Sequence, residues 1–156
     1  MADPFYNGDF DPDRSIGYLI KRAAKLGHAG VEASFDAPGL TFSHWVAMAM
    51  FRHGIADNCA KLARALGHNS GATTRLVDQL EERGLVERCR DCGDRRVVTV
   101  NLTEAGRTQL ESLNPMVLDH WNKVLEDFSH DEVNTLISLL QRLVAKLEAD
   151  APEGAE

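Results

Sequence analysis

The most constraining feature of this sequence is a change in the spacing of its apolar residues between Asn58 and Leu102. Up to about Arg83, apolar residues recur at intervals of three and four in two short segments, which is the period of a helix. From Leu85 onward, apolar residues alternate with polar ones, which is the period of a strand. The order of these patterns predicts two short helices followed by a β-hairpin.

The two short helices are bounded by residues that commonly end or begin helices. The first is predicted over residues 58–66, and Gly67 ends it because glycine readily adopts the left-handed conformation of a helix C-terminus. Asn69 or Ser70 can cap the second helix, whose apolar face continues to about Arg83. So short a junction lets the second helix lie across the first, which predicts a helix-turn-helix.

The hairpin is predicted to have strands at residues 85–88 and 97–102. The polar segment from Cys89 to Arg96 joins these strands and contains the turn signal Asp-Cys-Gly-Asp. A hairpin that directly follows a helix-turn-helix is a wing. We therefore expect a mainly α fold, α+β in detail, built as a winged helix-turn-helix with long helices on both sides.

The flanking helices are predicted from the same signals. They run from Asp13 to about Ser34, from Thr41 to just before Gly54, and onward from a cap at Thr103. Pro115 should kink or interrupt the last of these, because proline removes one helical hydrogen bond. The sequence Ser129 to Glu132 has the form of a capping box and opens a final helix.

The final helix carries an apolar stripe that is long for a single small domain. Its members are Val133, Leu136, Ile137, Leu140, Leu143, Val144 and Leu147. A chain of 156 residues has no obvious use for so much apolar surface near its end. The stripe therefore favours a homodimer.

Charge is distributed unevenly along the chain. The formal net charge is −7, which taken whole argues against a nucleic-acid partner. Residues 52–96, however, carry nine basic and seven acidic residues, whereas residues 97–156 carry four basic and eleven acidic ones. Because phosphates respond to the field within roughly 10 Å, a local basic segment in an acidic protein is compatible with DNA binding.

The composition also bears on the compartment. The longest apolar run has seven residues, from Trp45 to Phe51, far short of the roughly 20 needed to span a bilayer. The first thirteen residues contain four aspartates and no signal-peptide pattern, and three cysteines do not make a disulfide framework. We expect a cytoplasmic protein without a membrane partner.

The N-terminal end of the second short helix is the first candidate DNA-binding element. Its residues are small and polar, so the helix can approach base edges closely, and an arginine supplies a fork for a guanine or a phosphate. The candidate contacts are Ser70, Thr73, Thr74 and Arg75. The alternative is an ordinary polar helix N-terminus.

The wing is the second candidate, because four arginines cluster there. A protruding arginine-rich tip suits a narrow, electronegative minor groove, and an aspartate can hold one arginine extended. The residues concerned are Arg88, Arg90, Asp94, Arg95 and Arg96. A solvated charged loop is the alternative interpretation.

At these residues the sequence resembles the MarR family of bacterial transcription regulators. The segment from Asp94 to Gly106 resembles the family's wing signature, and the helix-turn-helix is similar through Leu62-Ala63, Leu66-Gly67, Thr74 to Asp78, Leu80-Glu81 and Arg83 to Val86. Leu40-Thr41 with Trp45 resembles the helix before it. The resemblance extends over roughly residues 13–148.

The resemblance implies one MarR-type domain over residues 1–156. Helices in 13–36 and 104–149 would form a two-fold homodimer, and residues 41–103 would form the DNA-binding lobe. It also implies a recognition helix in the major groove of a palindromic double-stranded operator and wing arginines in the minor groove. Arg96 would be the inserted residue and Asp94 its buttress.

Many members of the family bind a small aromatic or phenolic effector between the dimer helices and the DNA-binding lobe. Residues that could line such a cleft here are Tyr18, Arg22, His44, Trp45, Met48 and Arg52. The alternative is that the apolar ones among them are simply core.

The wing departs from the family pattern, because Cys89 to Gly93 replaces the usual proline-containing turn. Cys89 and Cys92 could form a redox switch, since neighbouring arginines favour the thiolate. They could also be part of a metal site, but structural zinc needs four ligands and no histidine lies beside the pair. Alternatively, they are two small residues in a hairpin, without a cofactor or metal.

The sequence thus favours a dimeric, sequence-specific DNA-binding regulator, either a repressor or an activator. The resemblance implies a repressor that a small aromatic or phenolic ligand releases. A thiol-redox regulator or a redox and metal-handling protein using Cys89 and Cys92 is the alternative. A winged helix that binds protein is a third hypothesis. An enzyme is not expected, because the sequence has no nucleophile–base pair, phosphate loop or metal motif.

Overall fold

The computed structural model describes residues 11–90 and 98–150, and it has the mainly helical winged helix-turn-helix fold that the sequence predicts. A short 3₁₀ turn at Pro12–Arg14 precedes the first helix. The elements are α1 (Ile16–Ser34), α2 (Phe42–Arg52), α3 (Cys59–Leu66), α4 (Ser70–Glu82), β1 (Val86–Arg90), β2 (Val98–Leu102), α5 (Glu104–Val124) and α6 (His130–Asp150).

The predicted helix caps are confirmed. The side chain of Thr41 accepts from His44 N–H at the start of α2, and that of Thr103 accepts from Gly106 N–H at the start of α5. At α6, Ser129 N–H donates to Glu132 Oε2 at 2.8 Å, and Ser129 Oγ accepts from Glu132 N–H at 3.3 Å. Local side-chain chemistry therefore fixes where these helices begin.

The predicted boundaries of two elements and one predicted interruption differ from the structure. Helix α1 begins at Ile16 with Ser15 as its cap, because Pro12–Arg14 forms its own turn. Strand β1 begins one residue later than predicted and extends to Arg90. The predicted interruption at Pro115 is wrong, since α5 continues through it. Proline removes only one hydrogen bond, and α5 has buried residues on both sides of it.

One hydrophobic core unites α2, α3, α4, the hairpin and α5. Its largest fully buried side chains include Met48, Leu62, Leu80 and Leu113, from four different helices, and Val86 joins them from β1. Because burying each such side chain stabilises a fold by about 1.5–3 kcal/mol, these contacts hold the helix-turn-helix and the wing together.

Main-chain hydrogen bonds anchor the base of the hairpin. The strands pair antiparallel, with Val86 opposite Leu102. Thr103 N–H donates to Leu85 O at 3.1 Å, and the Thr103 hydroxyl donates to Gly84 O at 2.6 Å. A Cβ on Gly106 would lie 2.0 Å from Leu85 O. Only glycine at position 106 therefore allows α5 to pass this close to the start of the hairpin.

Helix α1 packs against α5 at two glycines. A Cβ on Gly27 would meet the ring of Trp121 at 2.6 Å, and one on Gly30 would meet the ring of His120 at 2.2 Å. Val31 is the buried residue of α1. The N-terminal part of α1 is different, because Ile16, Leu19 and other large apolar side chains there are exposed.

Helix α6 stands apart from the core. Within the described part of the chain, no residue of α6 is buried. Large apolar side chains of α6 are between 40% and 62% exposed, namely Leu136, Ile137, Leu139, Leu140, Val144 and Leu147. Among the described residues, no helix has both the length and the apolar character needed to cross a membrane.

The close approach at Gly106 gives a stability prediction. We expect Gly106→Ala to lower the free energy of unfolding by about 1–3 kcal/mol, because the new methyl group collides with the Leu85 carbonyl. Gly71→Ala, also in the first turn of a helix, should raise it by up to about 1 kcal/mol, since its Cβ meets only an ordinary contact. Urea denaturation of both variants measures this, and equal effects would contradict it.

Candidate nucleic-acid interface

The turn between α3 and α4 aims the start of α4 away from the core. Gly67 adopts the left-handed conformation with φ 62°, and its N–H donates to Ala63 O and Arg64 O. Two residues later, the side chain of Asn69 accepts from Ala72 N–H at 2.8 Å and caps α4. The predicted three-residue junction and its cap at Asn69 are therefore present.

The first turns of α4 present a polar, exposed surface. Ser70, Thr74 and Arg75 are all exposed there, as the sequence predicts for DNA contacts. The Thr74 hydroxyl donates to Ser70 O at 2.9 Å, which leaves its oxygen lone pairs outward. Small polar side chains and one arginine make this end suited to a base edge or a phosphate.

Thr73 does not belong to this surface. It is completely buried, and its hydroxyl donates to Asn69 O at 3.2 Å. A buried side chain cannot reach DNA in this conformation, so the predicted contact at Thr73 is replaced by a packing role. Helical spacing contained the signal, because Thr73 lies on the same face as Leu76, Val77 and Leu80.

Arg88 is the second site residue whose environment differs from the prediction. Its guanidinium lies 2.6 Å from Asp78 Oδ1 and also binds Glu81 Oε2, and both carboxylates belong to α4. Burial works to lower the pKa of Arg88, but the hydrogen bonds to Asp78 and Glu81 and the negative charge of Glu81 outweigh it and raise the pKa. The side chain is thus committed to the protein rather than displayed at the wing tip.

Two further contacts hold α4 from the other side. His44 Nε2 lies 3.0 Å from Gln79 Oε1, which joins α2 to α4. At the C-terminal end of α4, Arg83 Nη1 donates to Pro38 O at 3.1 Å. Neither partner of α4 was found from the sequence, because each contact joins segments at least 35 residues apart.

His44 is a buried histidine whose hydrogen bonds define its protonation state. Its Nδ1 accepts from Thr41 N–H at 3.1 Å, which requires a lone pair on that nitrogen. Nε2 then carries the proton and donates to Gln79. Burial lowers the pKa of His44 and is the dominant cause, so the ring is neutral at pH 7.

Of the other predicted wing contacts, the described residues include only Arg90. The backbone of Arg90 ends β1, opposite Val98. Asp94, Arg95 and Arg96, the predicted minor-groove contacts, lie outside the described residues. Their roles remain predictions from the sequence.

The cysteine hypothesis also remains a prediction. Cys89 is half-buried on β1 with a free thiol, and Cys92 lies outside the described residues. Arg88 precedes Cys89 on the strand, so the two side chains point to opposite faces. The Arg88 guanidinium binds α4 instead, which weakens the argument that it favours a thiolate at Cys89.

The six predicted effector residues fall into different environments. His44 and Met48 are buried, which confirms the core interpretation for Met48. Trp45 is half-buried, and its Nε1 donates to Asn114 Oδ1 at 2.9 Å. Tyr18 and Arg22 lie together on the exposed face of α1, with their polar atoms 3.5 Å apart.

Arg52, the last of these six, lies at the end of α2 and pairs with Glu111 on α5 at 3.8 Å. Sequence reasoning missed a different feature of this region, an aromatic stack between α1 and α2. The rings of His28 and Phe42 lie 4.0 Å apart and nearly parallel, and Trp45 is 5.4 Å from Phe42.

Comparison with known proteins agrees with this geometry. The model of the MarR family matches residues 40–98, which span the helix-turn-helix and most of the wing. A probable transcriptional regulator from Pseudomonas aeruginosa is 28% identical, with a TM-score of 0.76 over 85% of this chain and 99% of that one.

Two other similar structures contain ligands. A mutant of MarR from E. coli complexed with operator DNA is 26% identical, with a TM-score of 0.73 over 82% of this chain and 92% of that one. CouR from Rhodococcus jostii, bound to p-coumaroyl-CoA, is 26% identical, with a TM-score of 0.75 over 86% of this chain and 95% of that one.

The neutral state of His44 gives a pH prediction. As pH falls below the ordinary histidine value of 6.5, the unfolded chain takes up a proton that folded His44 does not, so stability falls until the lowered pKa is reached. His44→Gln should make this loss of stability shallower. Thermal unfolding across that range measures it.

The matched control is His53→Gln, which removes an exposed imidazole at the end of the same helix. If His44→Gln and the unaltered protein lose stability in parallel over this range, burial of a neutral His44 is not the cause.

Proposed function

The chain carries a MarR-family winged helix-turn-helix domain, and from this premise we propose that it is a dimeric, sequence-specific DNA-binding regulator of transcription. In this proposal it acts in the cytoplasm as a repressor on a palindromic operator. A small aromatic or phenolic ligand releases it. The observation that carries the proposal is the exposed polar end of α4. The opposite face of α4 packs in the core, and side-chain contacts of Arg88, His44 and Arg83 attach the helix to its neighbours.

Rigid support matters because base readout requires side chains within hydrogen-bond distance of specific atoms. Leu76, Val77 and Leu80 fix the inner face of α4, while Ser70, Thr74 and Arg75 remain outside. In the proposed complex this end enters the major groove, and Arg75 binds a guanine or a phosphate. The wing residues Arg90, Arg95 and Arg96, with Asp94 as buttress, follow the adjacent minor groove.

The exposed apolar surface of α6 supports the proposal of a homodimer. Helices in proteins gain most of their stability from packing of an apolar face, yet α6 has no buried residue within the described part of the chain. Exposed apolar residues on α1 and on α6 of one chain allow a two-fold interface, in which the same surfaces of both copies cover one another. Such a dimer presents two α4 ends to DNA and accounts for a palindromic operator.

The effector is proposed to bind at the junction of α1 and α2. There the stacked rings of His28 and Phe42, with Trp45 beside them, offer flat apolar surface for an aromatic group. In this proposal Arg22 and Tyr18 of α1 bind an acidic group of the ligand, and Arg52 of α2 does so after leaving its pair with Glu111. The aromatic acyl-CoA bound to CouR is one precedent for such a ligand.

The direct test of DNA readout is Arg75→Ala. We expect it to weaken binding to a specifically bound duplex by about 1–3 kcal/mol, because it removes a forked contact. Fluorescence anisotropy at fixed salt measures the change. Lys123→Ala removes an exposed cation at the far end of α5 and should leave affinity unchanged. Equal affinities of Arg75→Ala and the unaltered protein would remove α4 from the mechanism.

The dimer is tested with two aspartates placed on opposite faces of α6. Leu140→Asp puts a charge into the apolar stripe and should yield a monomer that no longer binds the palindrome tightly. Ser138→Asp adds the same charge on the other side of the helix and should remain dimeric. Sedimentation equilibrium distinguishes them, and a Leu140→Asp protein that stays dimeric would place the interface elsewhere.

A further inference from the structure

Arg88 joins β1 to α4 through one side chain. From β1 its guanidinium binds two carboxylates of α4, Asp78 at 2.6 Å and Glu81. Its backbone N–H donates to the other oxygen of Glu81 at 3.2 Å. Side chain and main chain of one strand residue are therefore both attached to the recognition helix.

The charges at this cluster do not suit a phosphate contact. The side chain of Arg88 is 25% exposed, and two carboxylates share its single positive charge. The group of Arg88, Asp78 and Glu81 therefore carries a net negative charge, which repels DNA. An arginine that contacts DNA needs a fork that is free to face it.

The same cluster sets the direction in which the wing leaves the core. Arg88 lies opposite Val100, so fixing residue 88 also fixes β2 through the strand pairing. The attachment lies two residues before the end of β1 at Arg90. A rotation of the hairpin relative to α4 would have to break two ionic contacts and a backbone hydrogen bond.

We propose that Arg88 is a positioning residue for DNA binding, which sets the angle between recognition helix and wing so that both reach their grooves at once, and does not itself contact DNA. The inference rests on the proposed function of the lobe. It assigns Asp78 and Glu81 the matching role on α4, although acidic residues near a DNA-binding surface would otherwise only oppose binding.

The two roles of Arg88 predict opposite effects of removing the acids. If Arg88 contacts phosphate, Asp78→Ala frees its charge and raises DNA affinity. If Arg88 positions the wing, Asp78→Ala lowers affinity by about tenfold, and adding Arg88→Ala lowers it little further because the contact is already lost. Glu82→Ala is the matched control, since this exposed acid on the same helix should leave affinity unchanged or slightly raised.

Arg88→Lys gives a second discrimination. Lysine keeps the positive charge but cannot bridge two carboxylates as a planar fork does. A phosphate contact would survive this substitution, because lysine binds phosphate as a point charge. A positioning role requires the bridge, so we expect Arg88→Lys to lose most of the affinity that Arg88→Ala loses.

A general loss of stability would weaken binding to all duplexes alike. The measurement that separates it from a positioning role is base-pair preference, determined separately for base pairs under the wing and under α4. Binding is measured to the preferred duplex and to duplexes with single base-pair changes, under conditions where circular dichroism shows every variant folded. Arg88→Ala and Asp78→Ala should lose discrimination at the flanking base pairs under the wing and keep it at those under α4. The near-isosteric Asp78→Asn replaces any variant that does not fold.

Each outcome has one meaning. Lower affinity of Asp78→Ala with selective loss of discrimination under the wing supports the positioning role. Higher affinity of Asp78→Ala, full retention by Arg88→Lys, or equal loss of discrimination in both grooves overturns it. If the unaltered protein shows no preference among duplexes, the proposed function itself fails, which is distinguishable from failure of the role of Arg88.

Discussion

The arrangement depends on burial of one face of a single helix, α4. Leu76, Val77 and Leu80 are held in the core while the opposite face of the same helix remains polar and exposed. Apolar contacts alone would allow the helix to rotate or slide by small amounts, because they are not directional. Hydrogen bonds and ion pairs at Gln79, and at Asp78 with Glu81, supply direction from two sides and leave the N-terminal end free.

The helices outside the lobe follow a different constraint. Helix α1 meets α5 at two glycines, against which the rings of Trp121 and His120 pack, whereas α6 exposes its apolar stripe to solvent within the described part of the chain. A single copy therefore buries the apolar side chains of the lobe but leaves the described apolar side chains of α6 exposed. A second copy would cover that stripe and would set the spacing of two α4 ends. In the proposed dimer, the exposed apolar stripe of α6 thus determines the two-fold symmetry of the DNA site.

Local signals made much of the fold predictable from the sequence. Asn69, Thr103 and Ser129 cap helices through bonds to residues three positions away, so their roles are visible in a short window of sequence. Arg88 was not predictable in this way, because its partners lie on another element and its neighbours suggested a common arginine-rich tip. Helical periodicity could have predicted the burial of Thr73, because Thr73 lies on the apolar face of α4. Its polar side chain led instead to the prediction of a DNA contact.

Whether two copies present two recognition ends to one duplex is measured by selection of the purified protein against random double-stranded DNA. We expect enrichment of a two-fold symmetric sequence whose half-site centres lie about 10 base pairs apart, one helical turn of DNA. Enrichment of an asymmetric single site, or no enrichment at all, would contradict it.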